Sequence, residues 1–214
     1  TSFPYTNWFS YEHIAGRHGL KMWSEPHWKM LRRYADLMVR ARQNTFWIPL
    51  GAIFERTPNG PVLDAKRLER IVSVFTAAGM HWIEGGHFAA RAGGLWTAPT
   101  FDVSLKGPAA TSVAGNADIA SIGRQLMEVI RAKRWQDRWL QHVADEPISQ
   151  NAVDYRILIG IVRKYMPGIR LIDATMNETL AGALDVWVPR IDNCLKGREF
   201  LETQRAVGDR IWYY

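Results

Sequence analysis

The chain has 214 residues, 47% hydrophobic and 22% charged, enough for a sizeable core in one large domain or two small ones, and disordered, collagen-like and coiled-coil classes are excluded. No run of ~18 apolar residues could span a bilayer, and the single Cys194 excludes an internal disulfide framework and a cysteine-based zinc site. A net charge of +6 raises the question of nucleic acid, but Lys29, Arg32, Arg33 and Arg40 share the polar side of one amphipathic segment and the other basic residues are scattered, the pattern of a solvated face.

In chain order, residues 7–11 form the first apolar run. Ser24 then caps a helix, with Glu25 and Pro26 in its first turn and Leu31, Tyr34, Leu37, Met38 and Ala41 at helical spacing. Residues 45–50 are β-rich and end near Pro49. Asp64 caps a second helix, with Leu68, Ile71, Val72 and Phe75 on its inner face and Gly79 as its stop. The third run, residues 80–84, leads into Gly85, Gly86 and His87. Residues 89–117 then read as a long functional loop. Ile119, Ile122, Leu126, Val129 and Ile130 define the next helix. The fourth run, residues 139–144, ends at Asp145, Glu146 and Pro147. A helix with Ile157, Leu158, Ile161, Val162 and Tyr165 follows, stopped by Pro167 and Gly168. Three more runs cover residues 170–173, 184–189 and 210–214, with a helix around Ile191, Leu195, Phe200 and Leu201 between the last two.

The unit strand then helix repeats, and the strands are apolar throughout rather than alternating. That is the mark of a parallel sheet covered by helices. A doubly wound sheet and a (β/α)8 barrel of the TIM type both satisfy the pattern. No Gly-rich phosphate loop follows the first strand, which disfavours the nucleotide-binding sheet. Charged and aromatic residues gather after the strands: Glu12 and His13, Glu84 and His87, Asp145 and Glu146, Asp173, Trp187 and Tyr213. Barrel enzymes build their sites there. Seven strands are counted, against the eight of a closed barrel. The expectation is therefore a single α/β barrel domain over residues 1–214, incomplete by one strand–helix unit. The chain begins without a Met or a leader pattern and reads as a fragment of a longer protein. Self-association or a partner chain would cover the open barrel edge. The compartment is not fixed by the sequence; a secreted or periplasmic protein is expected if the parent carries a signal peptide.

Asp145 and Glu146 are the most informative pair. Pro147 forces an extended turn after them, so both can tip toward the mouth of the barrel. Adjacent carboxylates in one desolvated site repel, which raises the pKa of one and leaves an ionised group beside a proton donor. No compact His/Asp/Glu triad is evident for a metal: His81 and His87 flank Gly85 and Gly86, and no cofactor is expected. Glu84 is the best spare carboxylate, and in a conventional two-carboxylate glycosidase Glu84 with Glu146 is the first pair to test.

These stretches resemble glycoside hydrolase family 123 and its uncharacterised relatives. The resemblance rests on Asn7, Trp8 and Phe9, on Ser24 through Trp28, on Trp139 through Pro147, on Pro167 through Arg170, on Asp185 through Pro189, and on Ile211 through Tyr214. It implies a retaining β-N-acetylgalactosaminidase with a (β/α)8 domain, whose adjacent Asp–Glu signature falls on Asp145 and Glu146. It also implies substrate-assisted catalysis, in which the sugar's own acetamido oxygen attacks C1 and no enzyme nucleophile is needed. Asp145 would then hold the acetamido N–H, and Glu146 would serve as acid and then base. Around them, Trp187 is expected to stack on the sugar, Tyr213 to meet the acetamido carbonyl, and His87 to reach a hydroxyl. The partner is a glycan, with no nucleic acid and no membrane. An inactive barrel that only binds glycans is the alternative from another class.

Overall fold

The structure is a computed structural model that describes residues 4–214. Helix α1 (Tyr11–Arg17) starts where the Ser10 side chain accepts the His13 N–H. Helix α2 (Glu25–Arg40) starts at Ser24, which caps the His27 N–H. Strand β1 (Thr45–Ile48) is buried along its whole length. The short helix α3 (Leu50–Ile53) leads into a hairpin of β2 (Phe54–Thr57) and β3 (Gly60–Leu63). Helix α4 (Ala65–Ala78) is capped by Asp64 and stopped by Gly79 at φ 115°, a left-handed conformation that only glycine adopts freely. Then come β4 (Trp82–Gly85), an antiparallel pair of β5 (Ala89–Arg91) and β6 (Phe101–Val103), and helix α5 (Val113–Ala132). The remaining elements are β7 (Trp139–His142), α6 (Ala152–Tyr165), β8 (Arg170–Asp173), β9 (Val186–Trp187), α7 (Arg198–Ala206) and β10 (Arg210–Ile211).

Six strands form one sheet in the order β1-β4-β7-β8-β9-β10, parallel at every pairing. Among the described residues β1 and β10 are the outer strands, and the sheet is not closed. The fold is thus α/β with a parallel sheet, as the alternating pattern implies. One expected strand is absent. Residues 7–10 have no strand structure, and Tyr11 already belongs to α1. The physical reason is Ser10, whose side chain turns the chain into a helix. The stretch before it lies against the sheet without joining it as a strand: the Tyr5 carbonyl accepts the N–H groups of Asn44 and Thr45 at the start of β1, and Trp8 stacks on Trp47 and donates to Glu84. The other six runs each supply a strand of the main sheet. The two hairpins are additions. The loop expected over residues 89–117 holds β5, β6 and the first turn of α5.

The sheet's two faces differ. The helix side carries one large apolar cluster that includes Phe46, Ile83, Leu171 and Trp187 from strands, and Phe75, Leu126, Leu158 and Val162 from helices. The other side carries a small cluster of Leu140, Ile172 and Val186, with Val188 and Trp212 packed against them. Alternation along a strand explains the division: Val186 faces inward, so its neighbour Trp187 faces the helices. Lys29, Arg32, Arg33 and Arg40 are all exposed on α2, as a solvated face requires. No helix among the described residues is long and apolar enough to cross a membrane.

Candidate active site

A cavity of about 690 Å³ opens at the carboxyl ends of the parallel strands. Glu84 reaches it from β4, His142 from β7, and Asp145 and Glu146 from the turn after β7. Ile172 contributes from β8 and Ala174 from just after it, Val188 and Ile191 from the segment after β9, and Trp212, Tyr213 and Tyr214 from the segment after β10. The segment from Pro4 to Trp8 forms its remaining wall. Residues distant in sequence meet here because parallel strands all end on the same side.

Below the cavity lies a buried polar chain. His142 Nε2 is 2.7 Å from Glu84 Oε1, and His142 Nδ1 is 3.2 Å from Asp173 Oδ1. Trp8 Nε1 donates to Glu84 Oε2 at 3.1 Å, and the Tyr155 hydroxyl donates to Asp173. Burial alone would lower the His142 pKa. The two carboxylates, each hydrogen-bonded to a ring nitrogen, override that and raise it to about 9. His142 is therefore a cation at neutral pH, donating to Asp173 and Glu84 together.

His87 is the opposite case. Burial and the nearby His142 charge push its pKa down to about 3, so it stays neutral. Its ring packs edge-on or tilted against Trp8, Trp47 and His142. Its Nε2 is buried without a hydrogen-bond partner and lies 3.9 Å from Asp145 Oδ1. His87, His142 and Asp173 bring one ligand-type atom each within 4.8 Å of one another. This corrects the expectation that no compact triad exists, since sequence distance hid Asp173 from His142. Two imidazole nitrogens and a carboxylate are a zinc-type donor set. The geometry is that of hydrogen bonding, however: both His142 nitrogens face carboxylates, and Asp173 also accepts from Tyr155, Val143 and Ala144.

Asp145 and Glu146 both line the cavity. The pKa of Asp145 is raised, first by burial, then by Asp173 and Glu146, against the opposing pull of His142 and Arg91. Burial is thus the largest cause of the shift, and the neighbouring carboxylate a lesser one. Glu146 Oε1 accepts the Tyr214 hydroxyl. Burial and that hydrogen bond push the Tyr214 pKa up to about 12. Glu146 has φ 44°, a left-handed conformation disfavoured for any residue with a Cβ. Its carbonyl accepts Arg91 Nη2 at 2.6 Å, and the Arg91 guanidinium stacks 3.9 Å over Trp96. Past the ridge of Glu146 and Tyr214 lies a second cavity of about 550 Å³, walled by Trp96, Gln150, Asn177 and Arg190 among others.

The other expected site residues divide. Tyr213 lines the main cavity and is half exposed. Glu84 lines it too, but only 3% exposed and held by His142 and Trp8. His87 faces a smaller neighbouring cavity, shared with Asp145, Arg91 and Trp96. Trp187 does not reach the cavity. It is 0% exposed, its Nε1 donates to Asp209, and its ring meets Phe200 of α7 edge-on. The stacking surface expected of it is corrected accordingly: a strand residue whose neighbour faces inward must face outward. Trp8 and Trp212 are the indoles in the cavity wall. Trp8 also stacks on Trp47, with ring centroids 4.3 Å apart. The available signal for Trp212, Tyr214 and Asp173 was their place at or just after strand ends; Trp8 was marked only by the resemblance carried by residues 7–9.

No family model matches the chain, and no curated protein matches it. Solved structures do. A family 123 glycoside hydrolase from Clostridium perfringens superposes with a TM-score of 0.69 at 10% identity, over 97% of this chain and 42% of its own. The chain has a glycoside hydrolase-like fold. A family 5 glycoside hydrolase from Bacteroides vulgatus gives a TM-score of 0.50 at 10% identity, over 86% of this chain and 44% of its own. A GH10 xylanase from Thermobacillus composti gives 0.50 at 11% identity, over 84% and 63%. The latter two are TIM-barrel glycosidases. This chain spans less than half the length of the first two structures.

Proposed function

We propose that the chain is a retaining glycoside hydrolase acting on N-acetyl-β-galactosaminides or related N-acetylated amino sugars. One observation carries the proposal: Asp145 and Glu146 stand side by side in the wall of an aromatic-lined cavity at the carboxyl ends of the strands. The acetamido oxygen of the substrate attacks C1 as the bond to the leaving oxygen breaks, giving an oxazolinium ion. Glu146 donates its proton to the leaving oxygen. As carboxylate it then takes a proton from the water that opens the ring. Asp145 accepts the acetamido N–H and faces the positive charge that develops. It does so as the carboxylate, the form that His142 and Arg91 favour against the burial that raises its pKa. Tyr213 supplies a hydroxyl for the acetamido carbonyl, and Trp8 and Trp212 take the stacking role. Glu84 is buried and its two oxygens already meet His142 and Trp8, which favours the substrate-assisted reading over Glu84 as nucleophile.

We also infer that the open sheet is a partial (β/α)8 barrel. Its resemblance to barrel hydrolases supports this, as do the outer edges of β1 and β10, which pair with no further strand among the described residues and which a further segment or a second chain would cover.

The test is turnover of an aryl N-acetyl-β-galactosaminide. Glu146→Gln is expected to lose on the order of 10²–10⁴ in kcat, and Asp145→Asn to lose activity together with inhibition by a thiazoline analogue of the sugar. Near-parental turnover in either variant sinks the assignment. Turnover of other glycosides without thiazoline inhibition would instead favour a two-carboxylate mechanism.

A further inference from the structure

Asp145 and Glu146 lie beyond the ladder that holds β7. That strand pairs with β8 only through Leu140, Gln141 and His142. Past this point the backbone N–H groups of Val143 and Ala144 donate to Asp173 Oδ2, at 3.4 and 3.2 Å. The Tyr155 hydroxyl, from α6, donates to the same oxygen. The other carboxylate oxygen takes His142 Nδ1, whose far nitrogen is anchored on Glu84. One side chain thus does for residues 143 and 144 what a neighbouring strand does for the rest of β7. From the opposite side Arg91 holds the carbonyl of Glu146. Two clamps are what the turn requires. The backbone at Glu146 is held in a left-handed conformation, and such strain persists only where the surroundings over-determine it. Asp173 is fully buried and does not line the cavity, so it touches no substrate.

We propose that Asp173, through His142 and the backbone of residues 143 and 144, is the positioning residue of the Asp145–Glu146 pair, fixing their turn and setting the charge that Asp145 faces. In its kinetic part this rests on the glycosidase function proposed above; in its geometric part it stands alone. The groups around Asp145 are few. Asp173 and Glu146 repel its negative charge, His142 and Arg91 attract it, the neutral His87 lies 3.9 Å away, and the Tyr214 hydroxyl sits on Glu146. Removing the charge of Asp173 removes one of the two repulsions.

Asp173→Asn keeps the size of the side chain and loses its charge. We expect kcat to fall about 100-fold, the scale of a small misplacement of catalytic groups, with KM changed far less. The acid limb of the kcat/KM profile is expected to move to lower pH, because Asp145 loses the repulsion of Asp173 while Glu84 still holds His142 as a cation. A residue that only stabilised the fold would leave that limb where it was. Amide exchange at Val143 and Ala144 is expected to quicken about tenfold, because the neutral carbonyl of asparagine still accepts from both amides but without the carboxylate's charge. Parental kcat with an unmoved limb overturns the proposal. If Asp173→Asn fails to fold, Tyr155→Phe, which deletes one donor and no charge, decides: it should quicken the same two amides and lower kcat about tenfold, and parental values for both overturn the proposal. If the parent chain turns over no glycoside, the proposed function fails. The exchange rates still decide the clamp, since unchanged rates in both variants refute it.

Discussion

On the helix side of the sheet, Trp187, Phe46 and Leu171 are buried among carbon neighbours. At the carboxyl ends of the sheet's strands, Glu84, His142 and Asp173 are just as deeply buried, but they form a charged cluster. The first region is stabilised by removing apolar surface from water, which needs shape and little direction. The second persists because each charge meets a partner in a fixed orientation: two carboxylates with an imidazolium between them, and Trp8, Tyr155 and two backbone amides as further donors. Packing density secures the fold, whereas directed polar contacts secure the turn that carries Asp145 and Glu146. The two regions should therefore respond differently to substitution and to pH.

The largest stability loss is expected on the helix side. Trp187→Ala should cost about 3–5 kcal/mol by cavity creation, read by urea unfolding, while kcat per folded molecule stays parental. A catalytic loss at full occupancy of the fold would show that the two regions are not separable. Next comes the charged end. The His142 pKa is raised from its ordinary value to about 9, so its contribution is complete below about pH 6.5 and lost as pH rises through 9. The difference is about 3 kcal/mol on a scale of 1.36 per unit. Unfolding free energies at pH 6 and pH 10 should show it, and His142→Gln should flatten it; an unchanged slope in that variant would assign the loss to other groups. The smallest effect is far from both. Ser24→Ala removes the cap of α2 and should cost about 1 kcal/mol with no change in chemistry, visible as a lower midpoint in thermal unfolding.

The sequence showed the helix side well because local rules govern it. Ser24, Asp64 and Gly79 mark helix ends through contacts within four residues, and apolar runs identify buried strands. Errors arose where a local signal met a tertiary decision. Residues 7–11 look like a strand, but Ser10 begins a helix instead. Leu37 and Ile157 keep helical spacing with buried neighbours yet are exposed, because the contact stripe is narrower than the apolar one. The site divides in the same way. Asp145 and Glu146 were legible from their place before Pro147. The partners of His142 stand 58 and 31 residues away, and only the pairing of β4, β7 and β8 brings them together. Trp187 shows the limit most plainly: its position at a strand end was readable, but the face it occupies depends on register, and one residue reverses it.

The left-handed backbone at Glu146 sets two demands on a single position. A glycine there would relax the chain and remove the carboxylate. Asparagine would tolerate the conformation and offer no acid. Stability and activity thus pull residue 146 in opposite directions, and any effort to harden this protein by consensus or by backbone relaxation meets that trade-off at this position first.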